Sequence, residues 1–197
     1  MSSKQEILNR IRRQELPAAE LPALTGPWIE YADREKQFGD VLTFVGGKLL
    51  VVPDRSELDA VVRGLPCFEG AREICVAVPG LTPGNFDLAT KVDPHDTEVI
   101  DVAVAAGEFA VAENGAVWVD ARTVKHRAVY FLAQHLVLVV PRAQLVQNLY
   151  EAYQRIAFPD RGYGLFISGP SKTADIEQSL VIGAHGPRSL TVILVGE

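Results

Sequence analysis

Leu136-Val137-Leu138-Val139-Val140 runs five residues without a polar side chain, between His135 and Pro141. A strand wet on one face alternates apolar and polar residues, so a run with no alternation reads as a strand covered on both faces. Working outward, Lys48–Val52, Ile74–Val78, Ile100–Val104, Gly115–Val119, Tyr163–Ile167 and Leu190–Val195 read as strands, most of them too continuously apolar to be wet on one face. Ser56–Gly64, Arg127–Ala133, Arg142–Ile156 and Thr173–Ile182 are compatible with helices between them. The expected fold is therefore α/β, three layers with a largely parallel sheet and helices on both faces. Pro79–Asp96, with three prolines and Asn85, reads as a long irregular connection of the sort that often carries function.

Toward the amino terminus, Lys4–Arg13 sets Ile7, Leu8 and Ile11 on one helical stripe, an amphipathic helix in need of a surface to dock on. Pro17, Pro22, Gly26 and Pro27 then read as a tether. This divides the chain into an appendage, residues 1–27, and one domain, residues 28–197.

The composition fits a globular chain: 197 residues, 48% hydrophobic and 22% charged. Nineteen basic against 25 acidic residues give a net charge of −6, so no overall positive field draws it to nucleic acid or anionic lipid. Cys67 and Cys75, with His95, His126, His135 and His185, lack the paired spacings of a closed zinc site. Two thiols are also too few for an iron–sulfur cluster within one chain. No metal and no cofactor is expected of the chain itself. The start has no apolar signal region and no run approaches a membrane span, so the expectation is a soluble protein of a bacterial-type cytoplasm with reduced thiols.

Nucleotide fingerprints, H-E-x-x-H and G-x-S-x-G are absent, and Gly46-Gly47-Lys48 lacks the spacing of a phosphate loop. Three stretches carry candidate chemistry. In Gly107–Val119, Glu113 precedes Asn114-Gly115, a pair that tolerates positive φ, so a tight turn would hold its carboxylate at a strand entrance facing a cleft. An ordinary turn with a solvated Glu113 is the plainer alternative. In Phe166–Glu177, a strand ends at Ser168 and Gly169 turns the chain. Ser171 or Thr173 then caps a helix carrying Ile176 and Leu180, with Ser168, Ser171, Lys172 and Thr173 as donors to an anion. A self-satisfied helix cap is the alternative there. In Gly183–Arg188, His185 can exchange a proton near neutrality and Arg188 can clamp a carboxylate or phosphate. Convergence of the last two stretches predicts an antiparallel or edge placement for the final strand.

Ser168-Gly169-Pro170-Ser171-Lys172-Thr173-Ala174-Asp175-Ile176-Glu177, followed by Gly183-Ala184-His185-Gly186-Pro187-Arg188, resembles the signature of the LUD-domain family, in particular its lactate utilisation protein C branch. Gly107–Val119 resembles that family's second motif, with Asn114 and Ala116 standing where hydroxyl residues are usual. The resemblance implies a CoA-transferase-like α/β fold. It also implies a non-redox subunit acting beside iron–sulfur and oxidoreductase partners in the oxidation of L-lactate to pyruvate. Glu113-Asn114-Gly115 is similar, too, to the Glu-Asn-Gly stretch of CoA-transferases, which would make Glu113 an acyl-accepting nucleophile. A module sensing a small carboxylate or phosphate through Arg188 and the Ser171 turn is the third reading.

Overall fold

The computed structural model describes residues 3–13, 20, 23–157, 162–174 and 180–196. Five parallel strands form its central sheet: β1 (Lys48–Val52), β2 (Ile74–Ala77), β3 (Val102–Ala106), β6 (His135–Pro141) and β11 (Ser189–Val195), in the order β1-β11-β6-β3-β2. A second sheet is mixed, in the order β7-β4-β5-β8, from β4 (Phe109–Val111), β5 (Ala116–Asp120), β7 (Leu145–Val146) and β8 (Gly164–Ile167). β9 (Lys172–Ala174) and β10 (Leu180–Ile182) pair as an antiparallel ribbon. The α-helices are α1 (Ser3–Arg12), α2 (Arg34–Phe44), α3 (Leu58–Arg63), α4 (Val129–Leu132) and α5 (Leu149–Arg155).

Alternation along the apolar strands sorts their side chains into two cores. Leu136, Leu138 and Val140 of β6, with Leu190, Val192 and Leu194 of β11, face Phe38 and Leu42 of α2, Tyr130 of α4 and the near face of the second sheet. Val137, Val139, Ile193 and Val195 point the other way, onto Leu58 and Val62 of α3. The second sheet is itself buried on both faces. Its far side carries Phe109, Trp118 and Val146 against Ala152 in the middle of α5 and Ile156 just after it. The architecture thus has the parallel sheet flanked by helices that was expected, with an added sheet and helix stacked on one side. Unbroken apolarity in β4 and β5 signals two-sided burial without saying that the cover on one side is another sheet.

The two sheets are joined at Gly107. A Cβ there would overlap the side chains of Val117 and Val140, while its N–H donates to Val139 O and the N–H of Glu108 donates to Trp118 O. The chain passes from β3 to β4 at this point, and β6 makes the matching passage into β7, so β4 and β7 pair in parallel as β3 and β6 do.

Four expectations require correction. Arg142–Ile156 is not one helix: a 3-10 turn and β7 come first, and α5 starts only where the Asn148 side chain accepts from the Glu151 N–H. Thr173–Ile182 is not a helix capped by Ser171 or Thr173. Lys172–Ala174 and Leu180–Ile182 are strands, Thr173 pairing with Val181; Asp175, Ile176 and Glu177 lie outside the described residues. Thr173, Val181 and Ile182 are β-branched, which favours the extended state once a pairing partner is available. Gly115–Val119 and Tyr163–Ile167 belong to the second sheet, antiparallel to each other. The final strand is neither antiparallel nor at an edge: β11 lies between β1 and β6 and is parallel to both.

Gly164 faces the Trp118 ring at the β5–β8 pairing, and a methyl group there would overlap the buried indole. Gly164→Ala is expected to lower stability by about 1–3 kcal/mol, the usual cost of overpacking. A urea unfolding midpoint, with tryptophan emission as the probe, checks it.

Candidate functional site

The residues singled out in the sequence come together along one strip, through turns rather than through strand pairing. Asn114 and Gly115 form a tight turn between β4 and β5, with Gly115 at φ 64° and the Asn114 side chain accepting from the Ala116 N–H at 3.1 Å. A Cβ on Gly115 would lie 3.0 Å from the backbone N of Leu42, so α2 rests on this turn. At the end of β8, Ser168 Oγ donates to Asn114 O at 2.8 Å, and Gly169, at φ 75°, passes Val45 O where a Cβ would approach to 2.6 Å. Ser171 then donates its N–H to Pro187 O and accepts from the Gly183 N–H, both at 2.9 Å. Gly186 lies where a Cβ would meet Ser171 at 2.8 Å. The first motif therefore touches the second through Ser168, and the second touches the third through Ser171.

This strip runs at the amino edge of the parallel sheet, beside the starts of β6 and β11. Open α/β sheets usually bind ligands at the carboxyl edge, where a turn following a parallel strand such as the one expected to end at Ser168 would lie. The reversal follows from β8 lying in the second sheet: the chain leaving it crosses to the opposite end of the first.

Between the sheets, beneath this strip, is a cavity of about 260 Å3. Its walls are apolar, from Tyr130, Leu136, Leu165 and Leu190, and Ser168, Ser171 and His185 add polar groups. These three come from the predicted set. Lys172 and Thr173 lie on β9, with Lys172 Cε close to Gly46. Arg188 follows the lining residue Pro187; it is exposed, and its side-chain stem packs against Gly183.

Glu113 lies apart from the cavity lining. Its Oε2 accepts from the Leu149 N–H at 2.8 Å, and its own N–H donates to Gln147 O at 3.0 Å, so its carboxylate serves the first turn of α5. Glu151 accepts from the Gln147 N–H at 2.9 Å. Two carboxylates thus sit at the amino end of this helix, where unpaired N–H groups and the dipole favour negative charge. The carboxylate is not a group left free to face a cleft. An Asn-Gly turn legible in sequence does not reveal that a helix thirty-odd residues later will need its acidic neighbour as a cap.

Sequence reasoning missed His135 and Ser189, which the β6–β11 register sets side by side. His135 Nδ1 and Ser189 Oγ are 2.8 Å apart. Partial burial, then the nearby Arg188 guanidinium, push the His135 pKa below its ordinary 6.5, with Asp101 opposing. Only a polar pair at the start of two apolar runs marks them in the sequence.

The site and fold define a mixed α/β protein whose motif-bearing turns meet over a cavity between two sheets. A family model described as LUD domain matches residues 87–195, more than half of the chain and all three motifs. The chain belongs to the LUD-domain family. "Lactate utilization protein C" of Geobacillus kaustophilus is 33% identical over 123 residues, 59% of this chain and 48% of that protein. The protein of the same name from an Exiguobacterium species is 27% identical over 226 residues, covering 99% and 96%. The chain thus matches about half the length of the Geobacillus relative and nearly all of the Exiguobacterium one. Among solved structures, a DUF162 family protein from Deinococcus radiodurans superposes with a TM-score of 0.61 at 23% identity, over 84% of this chain and all of that one, and so shares the fold.

Two measurements probe this geometry. Glu113→Ala should cost about 0.5–2 kcal/mol, the range for losing a helix cap, and Glu113→Gln, which keeps an acceptor, should cost less. Thermal unfolding of both variants checks the order. For His135, the unfolded chain takes up the proton at a higher pH than the folded chain, so stability is lost as pH falls below about 6.5 toward the folded pKa. His135→Gln should flatten that slope in denaturant titrations between about pH 7 and 5.5.

Proposed function

We propose that this chain is a lactate utilization protein C-like subunit, a non-redox component acting with iron–sulfur and oxidoreductase partners in the oxidation of L-lactate to pyruvate. The observation that carries the reading is the near end-to-end match to the Exiguobacterium protein, over a chain in which two of the three motifs line one cavity and the first adjoins them through the Ser168–Asn114 hydrogen bond. Removing two electrons from L-lactate requires an acceptor. Cys67 and Cys75 are fewer than the thiolates a cluster needs, and burial pushes the Cys75 thiol up to about 11, so this reading assigns electron transfer to the partners.

In this reading the Ser171 hydroxyl donates to the acid; Ser168, whose own proton goes to Asn114 O, lines the site, and Lys172 and Thr173 lie on the adjoining strand. Arg188 supplies the charge that clamps the carboxylate, and His185 exchanges a proton at the mouth. The family's CoA-transferase-like form of the fold supplies the platform. Residues 28–197 act as the LUD domain within a bacterial-type cytoplasm, and residues 1–27 reach a partner. In support, α1 has no buried residue and leaves Ile7 57% and Ile11 63% exposed. Among the described residues no helix is long and apolar enough to cross a membrane. No observation favours Glu113 as an acyl-accepting nucleophile over its place as a cap for α5.

The purified chain is expected to reduce no acceptor dye with L-lactate by itself, and to be required for that reduction when combined with the iron–sulfur and oxidoreductase subunits of a lactate-oxidising complex. Arg188→Ala should weaken L-lactate binding by about 1.5–3 kcal/mol, the size of a charge-assisted hydrogen bond, with the fold intact by circular dichroism. Lactate oxidation that proceeds equally well when the chain is left out would overturn the reading.

A further inference from the structure

Beside the cavity between the sheets lies a second, larger hollow of about 510 Å3, and Phe131 lines both. Pro94, Ala121 and Phe131 wall this hollow, and Lys125 and Arg127, on either side of His126 in the chain, supply its charge. In a chain of net charge −6, three consecutive residues of basic type at one concavity concentrate positive potential against the overall field.

Each of the three is held in place by a neutral partner. Lys125 Nζ donates to Ala89 O at 2.7 Å, which leaves two ammonium protons for other acceptors. His126 Nε2 lies 2.9 Å from Lys91 O, and because a carbonyl only accepts, Nε2 carries the hydrogen. The Arg127 guanidinium carbon lies 4.7 Å from the centroid of the Tyr163 ring, a stacking contact that fixes the side chain without neutralising it. Arg122, by contrast, is paired with Asp120 at 2.8 Å. Asp93, within electrostatic reach of His126, accepts from the His95 N–H and lies 2.7 Å from its ring nitrogen. Among the described residues, no carboxylate is within ion-pair distance of Lys125 or Arg127.

The two hollows share Phe131 as a lining residue and have complementary chemistry. One lies between the sheets and is lined mainly by apolar groups such as Tyr130, Leu136 and Leu165; the other is edged by Lys125 and Arg127. We propose that they form one bipartite site for an organic anion, with an apolar body that enters the cavity between the sheets past Phe131 and a phosphate or carboxylate that rests on Lys125 and Arg127. Lactate, which has almost no apolar body, would not span the two. The proposal stands on this geometry and does not depend on the lactate reading.

Calorimetric titration of the full chain with 1-naphthyl phosphate, 1-naphthylacetate, 1-naphthol and inorganic phosphate tests it. The better of the two naphthyl anions should bind at least about tenfold more tightly than naphthol or inorganic phosphate, and comparing the two identifies the preferred anionic group. Lys125→Ala combined with Arg127→Ala should remove that advantage and leave naphthol binding as in the parent. In the unaltered chain the naphthyl-anion affinity should fall with added salt while that of naphthol does not. Naphthyl anions that bind no better than naphthol, a double variant that binds them as the parent does, or an affinity indifferent to salt would each overturn the proposal.

Discussion

At Gly107 the chain must leave one sheet and enter another through a gap that admits no Cβ. Val117 of the second sheet and Val140 of the first close on that position from opposite sides, so the separation of the two sheets is set where they are joined. The rest of the interior follows from that spacing. The face of the parallel sheet turned toward the second sheet carries Ala103 and Ala105 on β3, and the longer leucines and valines of β6 and β11 fill the space farther along. Close packing of this kind leaves few voids, so a hollow between the sheets marks a place where the layers separate.

That separation occurs at the amino edge of the parallel sheet, where three turns stack. Each turn depends on a glycine meeting a neighbouring backbone or side chain: Gly115 against Leu42, Gly169 against Val45, and Gly186 against Ser171. Positive φ at Gly115 and Gly169 means that even a methyl group would strain the backbone as well as collide. The α2 helix and the turn after it act as a floor for the first two. A site assembled this way is precise in its backbone, while its charged side chains stand at or beyond its rim.

Electrostatics divide the region by depth. The inner wall is mainly apolar, with the Ser168 and Ser171 hydroxyls as its neutral polar groups, whereas Arg188 and the Lys125–Arg127 segment place charge where water still reaches. His135 lies between these regimes: partial burial and Arg188 both favour its neutral form, and Ser189 Oγ takes up its Nδ1. Charge outside and apolar surface inside suit a ligand with a hydrophobic body and an anionic end, because neither sheet face has to bury an unpaired ion.

The sequence by itself determined most strands of the parallel sheet, since Leu136–Val140 and most of its counterparts are nearly continuously apolar, a pattern that suits burial on both faces. It also made the three motifs visible and marked Asn114-Gly115 as a turn, because φ preferences are local. It did not determine which strands pair. Local patterning carries no partner information, so β8 could not be told from a parallel strand, nor β11 from an edge. Thr173–Ile182 is compatible with a helix in sequence, yet Lys172–Ala174 and Leu180–Ile182 pair as a ribbon, each finding its partner only in the folded chain. Glu113 shows the same limit at one side chain: its turn was written in its neighbours, but its hydrogen-bond partner, the Leu149 N–H, is 36 residues away. Conformation set by sterics within a few residues can be read from sequence, and contacts made across the chain were decided only when the two sheets closed on each other.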